Sequence, residues 1–561
     1  ALSVAALLVP AVPPRAAGTL RYDLGAVERA FSAWKRHESP GCAYGIVKDG
    51  RLAGWGAYGD ASLEHGVGID QHTNFDLGST SKQFSAAAVA LLASDGKLSL
   101  EDDVRTYIPE LPEYGRPITL RHLMNHTSGL RDYTDLLSLA GHREEDVTTS
   151  AEALAMIARQ KGLNFPTGTA YRYCNTGYFL LSVVVQRVSG KSLRAFADER
   201  LFKPLGMTGT TYLDDHAQVV PNRAAGYRTM SRRQFATAMS DWEQVGDGGV
   251  QSSIEDMAKW AALFDQTPAS PTFPSAWLRG TLETPGKLTD GTEIAYGLGL
   301  AFERHRGLRV VEHGGSWAGY RAMLMRFPEK RMATIVLCNV AEADTHSLAY
   351  AVADAVFDVS GPQAGKDPGA RVDTPANGRS AGQESGLYYN ETLGETLTVG
   401  EKDGSILIKE IDAEKTLKSA GARKWVHADP AGDQVVTFAD DGGSLEVRDP
   451  GAVDPRPVTY RRVPRGLKLP ATMLDGIEGT YRSDDLRATW TVTRQGNAVN
   501  VALPNGEGFD LKPIATDLFD SDWGMVRLKR DARMQPMALA LTNRGVVDLT
   551  FTRVAADAVC R

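Results

Sequence analysis

Phe75-Asp76-Leu77-Gly78-Ser79-Thr80-Ser81-Lys82 runs directly into Gln83-Phe84-Ser85-Ala86-Ala87-Ala88-Val89-Ala90-Leu91-Leu92-Ala93. The second stretch is apolar on nearly every side, which predicts a helix buried all round. Ser79 falls at its first turn, where backbone N–H groups lack partners within the helix and point at whatever the serine attacks. Lys82, three residues on, lies on the same face one turn later and within reach of the serine hydroxyl. A serine attacks a carbonyl only when a neighbour takes its proton, and a lysine desolvated in a pocket suits that task. The same Ser-x-x-Lys spacing recurs at Ser32…Lys35 and Ser94…Lys97. The first sits in a charged amphipathic stretch and reads as a solvated pair. The second contains Gly96 and reads as a helix C-cap. Only Ser79…Lys82 opens an apolar helix.

At 561 residues the chain has room for more than one domain. With 42% hydrophobic and 23% charged residues it has the composition of an ordinary globular protein. A net charge of −7 and the lack of any basic run exclude the electrostatic footprint of nucleic-acid binding. A small molecule or peptide is therefore the expected partner. Cys42, Cys174, Cys338 and Cys560 show no C-x-x-C spacing, and the apolar settings of the first three predict buried free thiols rather than disulfides or a metal site. No paired carboxylate motif, metal cage or phosphate-binding glycine loop stands out, so no cofactor or metal is expected. Ala1–Val12 resembles the apolar core of an export signal, with cleavage near Ala16-Ala17; the other reading is a disordered tail. The segment is too short to span a bilayer, and no later segment is long enough. The expected location is the periplasm or the extracellular space.

Residues 20–360 mix helix and strand signals. Gly41–Gly56 reads as a hairpin turning at Asp49-Gly50, and strands return near 308–312, 322–326 and 333–337. A helix-rich middle between the two halves of one antiparallel sheet is an α+β pattern. Residues 361–384 are a Pro/Gly-rich linker. Beyond it, short alternating strands take over. Gly386-Leu387-Tyr388-Tyr389-Asn390 through Thr396-Leu397-Thr398-Val399 aligns without gaps with Gly479-Thr480-Tyr481-Arg482-Ser483 through Thr489-Trp490-Thr491-Val492, 93 residues later. This internal repeat predicts two small antiparallel β-barrels, 385–465 and 470–561, joined near Val463–Pro470.

Two further motifs lie in the mixed domain. Tyr173-Cys174-Asn175 precedes a helical run. Near a lysine ammonium the Tyr173 phenol would have its pKa lowered and could shuttle protons, and the Asn175 amide could hold both the lysine and a substrate carbonyl. The same spacing at Tyr388-Tyr389-Asn390 falls inside the barrel repeat, where Tyr388 reads as core. His313-Gly314-Gly315 follows the strand Arg309–Glu312, and its glycines would let a substrate backbone come close. The Ser316 and Ser79 N–H groups could form an oxyanion hole. His305-Arg306-Gly307 reads as an exposed turn.

The order Ser79, Tyr173, His313 within one domain resembles the serine β-lactamase and penicillin-binding superfamily, on its class C-like branch. Leu120-Arg121-His122-Leu123-Met124-Asn125-His126-Thr127-Ser128-Gly129-Leu130 and Gly248-Gly249-Val250-Gln251-Ser252-Ser253-Ile254-Glu255-Asp256-Met257-Ala258-Lys259-Trp260 look like further signatures of that branch. The resemblance implies a serine β-lactamase-like α+β domain. In it Ser79, Lys82 and Tyr173 would be catalytic, and Asn175, His313, Gly315 and Ser316 would touch substrate. The β-lactamases of this branch carry Lys-Thr-Gly as the third motif. His313-Gly314-Gly315 lacks that cation, which argues against lactam hydrolysis. A histidine there, followed by two barrels, is similar to the serine D-aminopeptidases, where a loop of the last barrel recognises the substrate's free amine. Ala515–Trp523, with Asp517, Asp520 and Asp522, is the corresponding candidate. The alternatives are a carboxylesterase or DD-peptidase, or a silent scaffold that binds peptidoglycan-like ligands.

Overall fold

The computed structural model describes residues 20–35, 38–231, 234–265, 274–360, 381–409, 414–421, 423–428, 433–467 and 469–554. The export segment, most of the linker and Cys560 lie outside them. No helix among the described residues is long and apolar enough to cross a membrane.

The first domain is built on a six-stranded antiparallel sheet. An interior pair of strands joins the two ends of the domain, with Cys42–Lys48 running against Met332–Cys338. Arg51–Tyr58 extends one edge through the Asp49-Gly50 turn, and Tyr320–Phe327, Leu308–Trp317 and Ala301–His305 extend the other. The helical region connects Arg51–Tyr58 to Ala301–His305 and packs on one face. Thr345–Ser360 and Leu24–Ala30 cover the opposite face.

Lys82–Ser94 is the buried helix, with every residue from Lys82 to Leu92 inside the protein. Ser79 lies just before it, in the 3₁₀ turn Gly78–Ser81. The helix spans the whole apolar run but begins after Ser79 rather than with it, and a tighter turn carries the serine.

Cys42 and Cys338 face each other in register on this strand pair and form a disulfide. This corrects the expectation of free thiols at both positions. An apolar setting does not distinguish a buried thiol from a buried disulfide, and the pairing bridges 296 residues. Cys174 is a buried free thiol.

The repeat folds as two closed eight-stranded barrels, their strands running from Gly386 to Arg462 and from Gly479 to Arg553. The matched tyrosines do the same work in each. Tyr388 and Tyr481 are fully buried, and their hydroxyls donate to the carbonyls of Glu384 and Ile477, four residues back. The buried Tyr388 has the core role read from sequence.

Candidate active site

The strand Leu308–Trp317 runs directly against the turn that carries Ser79. Thr80 Oγ1 donates to the His313 carbonyl at 3.0 Å. A Cβ at Gly315 would stand 1.8 Å from the Leu77 carbonyl oxygen, so only glycine lets strand and turn meet here. From the other side Ser81 Oγ accepts from the Val250 N–H at 3.1 Å. These contacts thus hold the turn that carries Ser79 on both flanks.

Lys82 Nζ lies 2.9 Å from Ser79 Oγ, 2.8 Å from Asn175 Oδ1 and 2.8 Å from the Asp247 carbonyl oxygen. The last two partners are acceptors only. A neutral amine spends its two N–H donors on them, and its lone pair then falls on the Ser79 hydroxyl. Burial pushes the Lys82 ammonium down to about 8, against the opposing pull of Asp247 and Asp132. The lysine is thus placed and tuned to take a proton from Ser79.

Tyr173 lies beside this pair. Lys82 Nζ stands 4.7 Å from its ring centre, and its buried hydroxyl faces Ser79 without completing a hydrogen bond. The expected lowering of its pKa is not found. Burial dominates and holds the phenol well above its usual value, so Tyr173 stays a neutral donor. A buried hydroxyl without a partner is an exception in folded proteins. Here it lies beside the Ser79 hydroxyl.

His313 is locked from both ends. The Cys174 N–H donates to His126 Nδ1 at 3.1 Å, so a neutral His126 carries its proton on Nε2, 3.1 Å from the Tyr296 hydroxyl. Tyr296 then donates to His313 Nε2 at 2.8 Å, and His313 Nδ1–H donates to the Gly314 carbonyl at 2.6 Å. The polarity of the whole chain follows from its two terminal backbone groups. Burial keeps both histidines neutral, with His313 pushed down to about 3 and His126 well below its usual value. Tyr173 stacks on this chain, its ring 4.3 Å from that of His126.

A cavity of about 150 Å³ opens over Ser79, lined among others by Asn175, Asp76, Asp247, Trp242, Ser316 and Trp317. Of the residues read from sequence, Ser79, Asn175 and Ser316 stand in the cavity wall, and Lys82 and Tyr173 lie immediately behind it. His313 and Gly315, expected to touch substrate, do not line it. His313 has both nitrogens engaged, and Gly315 faces the Leu77 carbonyl. Asp517, Asp520 and Asp522 are also elsewhere. Asp517 pairs with Arg530 at 2.8 Å, Asp520 is half-buried beside Thr396 of the first barrel, and Asp522 is exposed.

Sequence reasoning missed Asp247. It lines the cavity, its Oδ2 accepts from the Tyr133 hydroxyl at 3.0 Å, and its buried Oδ1 has no partner. Burial raises this carboxyl to about 6. Asp76 is the second acid in the wall, bound to the Gly78 N–H and to Gln251. No lysine, arginine or histidine is among the lining residues.

A family model described as Beta-lactamase matches residues 26–357. The D-aminopeptidase of Brucella anthropi is 28% identical over 508 residues, covering 89% of each chain. The D-aminopeptidase of Cereibacter sphaeroides is 32% identical over 350 residues, 62% of this chain and 66% of that protein. An octameric penicillin-binding protein homologue from Pyrococcus abyssi has a similar fold, with a TM-score of 0.55 at 22% identity, covering 78% of this chain and all of that one.

Proposed function

The chain belongs to the Beta-lactamase family of hydrolases, and from that premise we propose that it releases single D-amino acids from small amides and peptides through an acyl-enzyme on Ser79. The observation that carries this reading is the sign of the cavity. Asp76 and Asp247 line the wall, while Lys82 lies behind it with Nζ engaged by Asn175, the Asp247 carbonyl and Ser79, which suits a substrate ammonium better than the carboxylate of a lactam or a penicillin-like ligand. The D stereochemistry of the proposal is supported by the names of the D-aminopeptidase relatives.

Neutral Lys82 takes the Ser79 proton as Oγ bonds to the substrate carbonyl carbon. The Ser79 and Ser316 N–H groups face the oxyanion. As the C–N bond breaks, Tyr173 gives its proton to the leaving amine and is reprotonated by the Lys82 ammonium. Water then enters by the reverse sequence and frees Ser79. Asn175 keeps Lys82 aimed at the serine throughout.

The test compares D-alanine p-nitroanilide with its N-acetyl and L counterparts and with nitrocefin. The free-amine D substrate is expected to lead its N-acetyl analogue by ~10-fold or more, the scale of a charged hydrogen bond of ~1.5–3 kcal/mol. The Asp247 carboxylate binds the ammonium only when ionised, so this preference should fade as pH drops through about 6. Asp247→Asn should shrink the ratio; any effect through Lys82 acts on both substrates alike and cancels. Faster turnover of acetylated or ester substrates would replace this reading with an esterase.

Export to an oxidising compartment is part of the proposal, supported by the Cys42–Cys338 disulfide. Alkylation of both thiols in protein taken directly from cells would remove it.

A further inference from the structure

The last barrel reaches the catalytic domain through a different loop from the one the sequence suggested, and it acts from behind the site. This loop is Asn543–Asp548, between the strands Pro536–Thr542 and Leu549–Arg553. It closes on itself, Asn543 Oδ1 accepting from the Gly545 and Val546 N–H groups. The Gly545 carbonyl accepts from the Asp132 N–H and from Asn164 Nδ2, both at 2.8 Å. Asn164 Oδ1 in turn accepts from the Val547 N–H at 2.8 Å. Arg131 donates to the Val547 carbonyl at 3.0 Å and pairs with Asp485, also of this barrel, at 3.1 Å.

Residues 131–133 pass this grip to the site. Asp132 Oδ2 accepts from the Asn175 N–H at 2.5 Å. Thr176 ties to the same segment twice, donating to the Arg131 carbonyl at 2.7 Å and accepting from the Tyr133 N–H at 2.8 Å. The Tyr133 hydroxyl holds Asp247. Asn175 and Asp247 supply the two acceptors that leave the Lys82 lone pair on Ser79. The barrel loop is thus two residues removed from the lysine, and no barrel residue lines the cavity.

We propose that the Asn543–Asp548 loop is a positioning element for the Lys82–Ser79 pair, acting through Asp132 and Tyr133, so that the catalytic domain is fully active only with the second barrel docked. The proposal rests on the reading of Ser79 as nucleophile.

Gly545 is the probe. A Cβ there would stand 1.6 Å from Asp135 Oδ2 and 3.0 Å from Asp132 Cβ. Gly545→Val in the full chain should slow fluorophosphonate labelling of Ser79 and lower kcat on D-alanine p-nitroanilide by at least ~10-fold, with KM within ~3-fold. Loosening the acceptors around Lys82 admits water, so the pH midpoint of labelling should rise toward that of an ordinary lysine. Gly545→Val with Asp135→Ala, which removes the obstructing carboxylate, should recover most of the rate. Asn164→Ala removes two of the loop's bonds without adding bulk, and serves if Gly545→Val does not fold. Labelling rate and pH midpoint within ~2-fold of the unmodified protein in a folded Gly545→Val or Asn164→Ala would overturn the proposal. An unmodified protein that is not labelled at Ser79 would instead overturn the nucleophile assignment.

Discussion

Ser79→Ala is expected to abolish turnover, with kcat falling by on the order of 10⁴-fold or more, the scale seen when the nucleophile of a unit-like catalytic set is removed. The expectation follows from the geometry around the hydroxyl. Lys82 Nζ is 2.9 Å from Oγ, the Tyr173 hydroxyl faces it, and the cavity opens directly above it. Without Oγ these groups have no atom to act on. The fold should survive, because the structural bonds of the turn belong to Thr80 and Ser81 rather than to the Ser79 side chain. The check is mass-spectrometric mapping of a fluorophosphonate adduct together with turnover of the variant. An adduct on Ser32 or Ser94, or undiminished turnover in Ser79→Ala, would refute the assignment.

Lys82→Met should cost ~10²- to 10⁴-fold in kcat, the range for a lost general base. Lys82→Arg should not rescue it, since a guanidinium stays charged and has no lone pair to offer. The pH dependence carries the finer test. The lysine acts when neutral, and burial places it at about 8. The labelling rate of Ser79 should therefore climb as pH rises through about 8 and level off above, and Lys82→Met should erase that limb. A profile that is flat between pH 6 and 10 in the unmodified protein would show that Lys82 does not take the proton. Tyr173 should add no rising limb in this range, because burial keeps its phenol protonated.

The legible parts of this protein were those whose partners lie near in sequence or repeat within it. The apolar run after Lys82 marked the buried helix. The Gly-x-Tyr and Thr-x-Thr-Val matches marked the paired barrels, because a repeated pattern signals a repeated fold. Ser79 and Lys82 were legible as a pair because one helical turn joins them. Asp247 was not, because its meaning comes from Lys82, 165 residues away, and from Tyr133. Its position directly before Gly248-Gly249 was the only local signal. His313 was legible as a motif, but its place behind the cavity was not, because its ring is held by Tyr296 and, beyond it, by a backbone N–H at Cys174. The barrel loop was misplaced for a related reason. A search for carboxylates leads to Asp517–Asp522, whereas Asn543–Asp548 makes contact mainly through its backbone, whose carbonyls and N–H groups every sequence has.

The Cys42–Cys338 bond joins strands that are neighbours in the sheet yet stand at opposite ends of the domain's chain. It closes a covalent ring that contains Ser79, Lys82, Asn175, Asp247 and His313. One cut by a foreign protease in any loop of that ring opens it without releasing a fragment, and the severed ends stay tethered through these two strands. The active-site residues on either side of the cut remain parts of one molecule. A nick anywhere between the two cysteines therefore leaves a two-chain molecule that only reduction can separate covalently.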